Sequence, residues 1–119
     1  MRVCALAPDL IAASRISEAV ARLGADFERL DSIGELPPAN TVDLLLVDWG
    51  RRDANWGDRI SRWHSSSPRV RILLFGPHKD LDAHRSAALD RLGPVMARST
   101  FFGRLDDLLA HAMRTATGN

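Results

Sequence analysis

The sequence predicts an α/β fold, a doubly wound five-stranded parallel sheet with helices on both faces. Short apolar runs alternate along the chain with segments whose apolar residues recur at helical spacing, the pattern of strands connected by helices. One run, residues 42–47, is apolar except for Asp43, which is typical of a strand buried on both faces of a parallel sheet. The 119 residues, 45% of them apolar and 26% charged, are enough for one such domain.

The first half of the chain contains three predicted strands, at residues 3–7, 26–30 and 42–47. A helix after Asp9 separates the first two, because apolar residues at helical spacing precede Gly24, a residue that commonly terminates helices. Residues 31–40 contain one glycine and two prolines, which do not suit a long helix. We therefore expect the second helix to be short or frayed.

The second half contains two predicted strands and three predicted helices. Residues 70–75 and 95–97 form the strands. Trp56, Ile60 and Trp63 share one helix face, and residues 81–92 form the next helix, ending at Gly93. The last helix has an apolar stripe at Leu105, Leu108, Leu109, Ala112 and Met113. This is the clearest amphipathic pattern in the chain.

The composition excludes several classes of function. A net charge of +1 offers no electrostatic reason to expect a nucleic acid or an anionic membrane as a partner. No apolar run approaches the length of a membrane span, and no signal-peptide pattern opens the chain. The single cysteine, Cys4, lies in an apolar stretch and cannot form an internal disulfide. We therefore predict a cytoplasmic protein with Cys4 in its core.

In the order of these elements the chain resembles the receiver domain of bacterial response regulators, the flavodoxin-like module of two-component signalling. The resemblance depends on the fivefold alternation of strand and helix, on the Leu-Leu-Leu-Val-Asp-Trp stretch at residues 44–49, and on the alanine-rich helix that ends at Gly93. It covers nearly the whole chain and implies a receiver-like (βα)5 domain at residues 1–114. Residues 115–119 are predicted to form a disordered tail.

The resemblance also implies a site at the carboxyl ends of the strands. Receivers accept a phosphoryl group on an aspartate that ends the third strand, and Asp48 occupies that position. Two acidic residues after the first strand help to hold Mg²⁺ in receivers, and here the pair is Pro8 and Asp9. A lysine after the fifth strand pairs with the phosphoryl group, and Arg98 stands in its place.

The chain departs from the receiver pattern at most of these positions. Only Asp9 remains of the acidic pair, so Mg²⁺ would lose one expected carboxylate. The Ser or Thr that bonds the phosphoryl group in receivers is Gly76, which has no side-chain donor. Arg98 keeps the positive charge of the lysine, but arginine is longer and planar and is not equivalent to lysine.

The remaining site residues also have structural interpretations. Asp48 can be a turn or helix-capping carboxylate, and Asp9 can be the N-cap of the first helix, the role we favour for it. Arg98 can form an ion pair with Asp48 or Asp9, which would occupy the cation position without any metal.

The sequence therefore favours a pseudo-receiver, meaning a non-enzymatic receiver-like domain that acts by protein–protein interaction with weak or absent phosphorylation. The alternative is a functional single-domain receiver, phosphorylated on Asp48, with Mg²⁺ held by Asp9 and Asp48 and with Arg98 in place of lysine. In both cases the expected partner is a signalling protein, either a histidine kinase or a downstream effector.

One predicted partner surface lies just after the third strand. Aromatic and basic residues alternate from Trp49 to Trp63, a pattern found at protein interfaces and on nucleic-acid-binding surfaces. Trp63 is expected to pack on the sheet, whereas Trp49, Arg51 and Arg52 are expected to contact a partner. Nearby aspartates dilute the positive charge, so a nucleic acid is the less favoured partner.

A second predicted partner surface combines the helix at 81–92, the strand at 95–97 and the last helix. Receivers commonly use this face, and a homodimer could form through it. Phe101 and Phe102, which open the last helix in this interpretation, are expected to be exposed there.

Overall fold

The computed structural model describes residues 1–77 and 92–116. The strands are β1 (Arg2–Leu6), β2 (Asp26–Leu30), β3 (Leu44–Asp48), β4 (Arg71–Gly76) and β5 (Val95–Ala97). The α-helices of the described residues are α1 (Leu10–Arg22), α2 (Trp56–Ser66), α3 (Arg98–Gly103) and α4 (Leu105–Ala116). Three 3-10 helices complete the described structure, at Ile33–Glu35, Ala39–Thr41 and Trp49–Arg51.

The five strands form one parallel sheet in the order β2-β1-β3-β4-β5. All five residues of the central strand, β3, are buried, as expected for a strand covered on both faces. The predicted fold class and all five predicted strands are thus confirmed. Strand β3 begins at Leu44, two residues later than predicted, because Val42 closes the preceding 3-10 turn and does not pair in the sheet.

The side chains of each strand alternate between two hydrophobic layers, because successive residues of a strand point to opposite faces. On one face, Leu45 and Val47 of β3 pack with Trp56 and Ile60 of α2. On the other face, buried residues of β1 and β3 pack with those of α1 and α4, including Val3, Leu46, Ile16 and Leu109. Both faces of the sheet are therefore covered, and binding sites can form only at the two ends of its strands.

The predicted second helix is replaced by two separate 3-10 turns, at Ile33–Glu35 and Ala39–Thr41. The prolines at 37 and 38 lie between these turns, where a continuous helix would lack backbone donors. Trp63 of α2 covers this region and donates an indole hydrogen bond to the Pro37 carbonyl oxygen at 2.6 Å. Trp63 therefore packs inward, as the sequence indicated.

The carboxyl-terminal part contains two helices where the sequence analysis predicted one. Residues 98–103 form the short helix α3, and α4 begins only at Leu105. The last helix continues through Thr115, whose hydroxyl accepts a hydrogen bond from Arg71 at 2.9 Å, so the predicted boundary at 114 lies inside α4. The helix predicted at 81–92 lies almost entirely outside the described residues, as do residues 117–119.

Among the described residues, no helix is both long enough and apolar enough to cross a membrane.

Cys4 lies in the middle of β1 with no exposed surface, and its burial raises the pKa of the thiol to about 11. In the unfolded chain the thiol loses its proton nearer pH 9, its ordinary value. From that pH upward the unfolded state gains stability by ionising while the folded state does not. We therefore expect the free energy of unfolding to fall by up to about 1.4 kcal/mol per pH unit as the pH rises toward the folded-state pKa.

The measurement is urea unfolding at a series of alkaline pH values, with Cys4→Ala as the matched variant. The contribution of the thiol is the difference between wild type and Cys4→Ala in how steeply the unfolding free energy falls with pH. A thiol reagent at neutral pH should label Cys4 only as fast as the chain unfolds. Rapid labelling of the folded protein would contradict the buried position.

Candidate functional site

Four residues that the sequence singled out meet at the carboxyl end of the sheet. Asp9 follows β1, Asp48 ends β3, Gly76 ends β4 and Arg98 follows β5. Since β1, β3, β4 and β5 are consecutive neighbours in a parallel sheet, their carboxyl ends form one edge. This is the edge at which open α/β sheets bind ligands.

Arg98 bridges both carboxylates of this edge. Its Nη1 donates to Asp48 Oδ2 and its Nη2 donates to Asp9 Oδ2, each at 3.1 Å. Asp48 has 1% of its side chain exposed, Asp9 24% and Arg98 40%. The ion pair proposed for Arg98 is therefore confirmed, and it involves Asp9 and Asp48 together. Such a pair places a fixed positive charge where a buried carboxylate would otherwise be unpaired.

The aromatic cluster beside the site limits where the Arg98 guanidinium can lie. Its central carbon is 5.5 Å from the ring centres of both Phe75 and Phe102, within range of a cation–π interaction. Phe75 stacks on Phe101 with ring centres 4.3 Å apart, and Phe102 meets both rings edge to face. The position of Arg98 is thus determined by two acids on one side and aromatic rings on the other.

Asp9 uses both of its carboxylate oxygens. Oδ1 accepts a hydrogen bond from the Ile11 backbone N–H at 3.0 Å, which makes Asp9 the N-cap of α1. Oδ2 accepts from Arg98. The structural interpretation of Asp9 is therefore confirmed, and the residue links the start of α1 to the start of α3.

Asp48 is buried more deeply than Asp9 and uses its carboxylate unequally. Oδ2 accepts the hydrogen bond from Arg98. Oδ1 is buried and has no hydrogen-bond partner among the described residues. Asp48 also occupies the N-cap position of the Trp49–Arg51 turn, but its side chain makes no capping bond there, so that interpretation is wrong in its detail.

The loops after β3 and β4 pack directly on one another next to Asp48. A Cβ atom added to Gly76 would lie 3.1 Å from the backbone nitrogen of Gly50. A Cβ atom added to Gly50 would lie 2.8 Å from Cδ of Pro77. A side chain at residue 76 would therefore make the Gly50 backbone shift by a few tenths of an ångström, and a side chain at residue 50 would clash with the Pro77 ring.

In this structure both acids bind Arg98 and do not belong to a larger cluster of metal-ligating side chains among the described residues. Within residues 1–77 and 92–116, no group of three or more His, Cys, Asp or Glu side chains could hold a metal ion. The oxygens of Asp9 are both engaged, and Arg98 already neutralises the charge that Mg²⁺ would compensate.

The predicted partner surface after β3 is only partly exposed. Trp49 has no exposed surface and belongs to the hydrophobic layer under α2, so its assignment to an exposed surface was wrong. Arg52 is partly buried, donates to the Trp49 carbonyl oxygen at 3.0 Å and lies over the Trp49 ring. Arg51 is exposed. The chain turns inward after Asp48 because the Trp49 ring fills space between the sheet and α2.

The prediction for the two phenylalanines needs a similar correction. Phe101 has no exposed surface, since it stacks on Phe75 within the layer formed with α1 and α4. Phe102 is half-buried, with the Arg15 guanidinium 4.2 Å from its ring centre.

Two residues that sequence reasoning missed, Leu10 and Ile11, are the large apolar side chains most exposed in the described chain, at 66% and 76%. They fall outside the helical spacing of the buried α1 residues, and this was the signal available in the sequence.

Comparison with solved structures places this fold among receiver domains. A response regulator receiver domain protein from Clostridium thermocellum superimposes with a TM-score of 0.75 at 13% identity, covering 98% of this chain and 96% of that chain. An atypical orphan response regulator, described as having a phosphorylation-independent regulatory mechanism, gives 0.71 at 15% identity, covering 96% of each chain. A pilus assembly-related protein from Burkholderia pseudomallei gives 0.71 at 16% identity, covering 94% of this chain and 88% of that chain.

No protein-family model and no curated protein matches the sequence. The chain therefore has the receiver fold, and its site must be interpreted from its own residues.

The contact between Gly50 and Gly76 predicts that a serine at residue 76 would destabilise the protein. Gly76→Ser should reduce the free energy of unfolding by about 1–3 kcal/mol, because the new side chain meets backbone atoms that cannot rotate away. Gly103→Ser is the matched control, since a Cβ atom there meets nothing within 4 Å, and it should change stability by less than about 0.5 kcal/mol. Urea unfolding of the three proteins measures both values. Equal stability of the two variants would contradict the close packing.

Proposed function

We propose that this chain is a pseudo-receiver, a signalling domain that binds a protein partner without using phosphorylation as its switch. The observation that carries the proposal is the bridge from Arg98 to Asp48 and Asp9. It supplies, within the chain itself, the positive charge that a receiver obtains from Mg²⁺ and lysine.

The bridge opposes phosphorylation of Asp48 in two ways. Phosphoryl transfer requires an approachable carboxylate oxygen in line with the donor and a cation that neutralises the added charge. Asp48 is 1% exposed, and Arg98 is shared with Asp9. A phosphoryl group would therefore have to displace Arg98 from Asp48 before it could use that charge.

The closed loop contact removes a second requirement of the receiver switch. Gly76 offers no hydroxyl to bond a phosphoryl oxygen, and a side chain at this position would crowd the Gly50 backbone. Since the structure is already held in one arrangement by the ion pair and the glycine contact, we infer that its output is a constant binding surface.

The exposed residues around α1 supply the best candidate for that surface. Leu10 and Ile11 project apolar side chains at the carboxyl end of the sheet. Arg15, one turn after Ile11, lines with Phe102 and Arg98 an open groove of about 620 Å³. Arg15 has no carboxylate partner among the described residues. Apolar side chains beside a guanidinium that stacks on Phe102 and pairs with no carboxylate among the described residues suit a cytoplasmic signalling partner, a histidine kinase or a downstream effector, that presents an apolar segment with a carboxylate.

The homodimer through the helix at 81–92, β5 and α4 stays a prediction, since that helix lies outside the described residues.

The decisive test is a titration with Mg²⁺ and then beryllofluoride, a mimic of the phosphoryl group, followed by amide and indole NMR shifts. We expect no saturable shift at residues 48–50 or at the Trp49 indole, which lies next to Asp48 in sequence. Asp48→Asn is the matched variant, and a receiver known to be phosphorylated, treated in parallel, shows that the mimic is active. A saturable shift that disappears in Asp48→Asn would instead establish the functional receiver.

Removing Arg98 should expose the role of its charge. Arg98→Ala leaves the buried Asp48 carboxylate unpaired, and we expect a loss of about 2–4 kcal/mol in unfolding free energy, less than for a fully buried pair because Arg98 is 40% exposed. Arg22→Ala is the control, because the Arg22–Asp106 pair is exposed on both sides and should contribute below about 1 kcal/mol.

The same pair of variants tests whether Arg98 substitutes for a cation. Mg²⁺ should raise the melting temperature of Arg98→Ala more than NaCl at equal ionic strength, whereas wild type and Arg22→Ala should show no such difference. Equal effects of Mg²⁺ and NaCl on Arg98→Ala would show that Arg98 does not replace a divalent cation.

A further inference from the structure

The opposite end of the sheet contains a polar cleft that plays no part in the receiver-like site. It has a volume of about 360 Å³ and lies where β3 and β4 begin, next to the end of α4. Its polar lining residues are Asn40, Asp43, Ser67, Arg69, Arg71 and Thr115. Two connecting segments, one strand and one helix therefore contribute polar side chains to one small volume.

The two arginines of the cleft, Arg69 and Arg71, form no ion pair with a described residue. By contrast, Arg2 and Arg22 each pair with one carboxylate, and Arg98 pairs with two. Arg71 Nη1 donates to Thr115 Oγ1 at 2.9 Å, which ties its guanidinium to the wall of the cleft. The remaining guanidinium N–H groups are left for a ligand.

The Asp43 carboxylate in the cleft would repel an anion, so its position matters. Its Oδ2 accepts a hydrogen bond from the Arg2 backbone N–H at 2.8 Å, on the side of β1. The Arg71 backbone lies on the other side, where it donates to the Asp43 carbonyl oxygen at 3.1 Å. The Asp43 carboxylate is thus engaged toward β1, and the lining still carries two positive charges against one negative charge.

We propose that this cleft binds a phosphate-class oxyanion carried by a small molecule. Planar guanidinium groups bond phosphate oxygens through paired N–H donors, and the hydroxyl of Ser67 and the amide of Asn40 can supply neutral donors beside them. The volume exceeds what a single phosphate ion needs, so the natural ligand is a small phosphorylated molecule. The cleft is at the amino ends of the strands, so the inference is independent of the proposed pseudo-receiver site.

The test uses pyrophosphate, inorganic phosphate and adenosine monophosphate as probes of the full chain, followed by amide NMR shifts, with NaCl at equal ionic strength as the blank. We expect saturable shifts at residues 67, 69–71 and 115 with at least one phosphate probe. A stronger response to the monophosphate ester than to inorganic phosphate identifies a phosphorylated molecule as the source, and the reverse order identifies the free ion and overturns the small-molecule part of the proposal.

Variants assign the shifts to the cleft. Arg69→Ala, in an exposed turn, and Arg71→Gln should each weaken binding by about tenfold, the effect expected when a charge-assisted hydrogen bond is lost. Arg59→Ala is the matched control. Arg59 is exposed near the amino end of α2, whereas the cleft lies beside the carboxyl end, so this variant should bind as wild type does. Asp48→Asn should also leave this binding unchanged. Unsaturable shifts equal to those in NaCl, or equal weakening by Arg59→Ala, would overturn the proposal.

Discussion

The structure of this domain depends on how one buried charge is compensated. The Asp48 carboxylate lies at the end of the central strand with 1% of its side chain exposed, where an unpaired charge would cost several kcal/mol. Arg98 compensates it and simultaneously holds Asp9, the N-cap of α1. The first residue of α3, the first turn of α1 and the end of β3 are therefore joined by one guanidinium group.

The glycine contact makes the same edge of the sheet difficult to convert into a phosphorylation site. Gly76 approaches the backbone of Gly50 because neither residue has a Cβ atom, and Pro77 packs over Gly50. A side chain at residue 76 would require this loop packing to shift. The glycine at residue 76 and the path of the loop after Asp48 are thus two aspects of one arrangement, at the same edge of the sheet as the Arg98 bridge.

Much of the fold followed from local sequence patterns. Four apolar runs became β1, β3, β4 and β5, and the mixed segment at 26–30 became the edge strand β2. The central strand β3 is covered on both faces and is apolar up to Asp48, as such a strand requires. The helix after Asp9 ends before Gly24, which has a φ of +70° that favours glycine. The cap at Asp9 and an ion pair for Arg98 were also predictable, since each follows from residue type and position along the chain.

Only the tertiary structure decided how these residues meet. That Arg98 joins both acids depends on the order β1-β3-β4-β5, which brings distant segments to one edge. Trp49 and Phe101 were expected on the surface, yet both are buried, because α2 and the aromatic cluster supply cavities that no local pattern reveals. The sequence by itself determined the five strands and most of the helices, the end of the sheet that holds the acids and the absence of a hydroxyl at residue 76. The packing between elements determined which side chains remain available, because burial depends on neighbours far away in the chain.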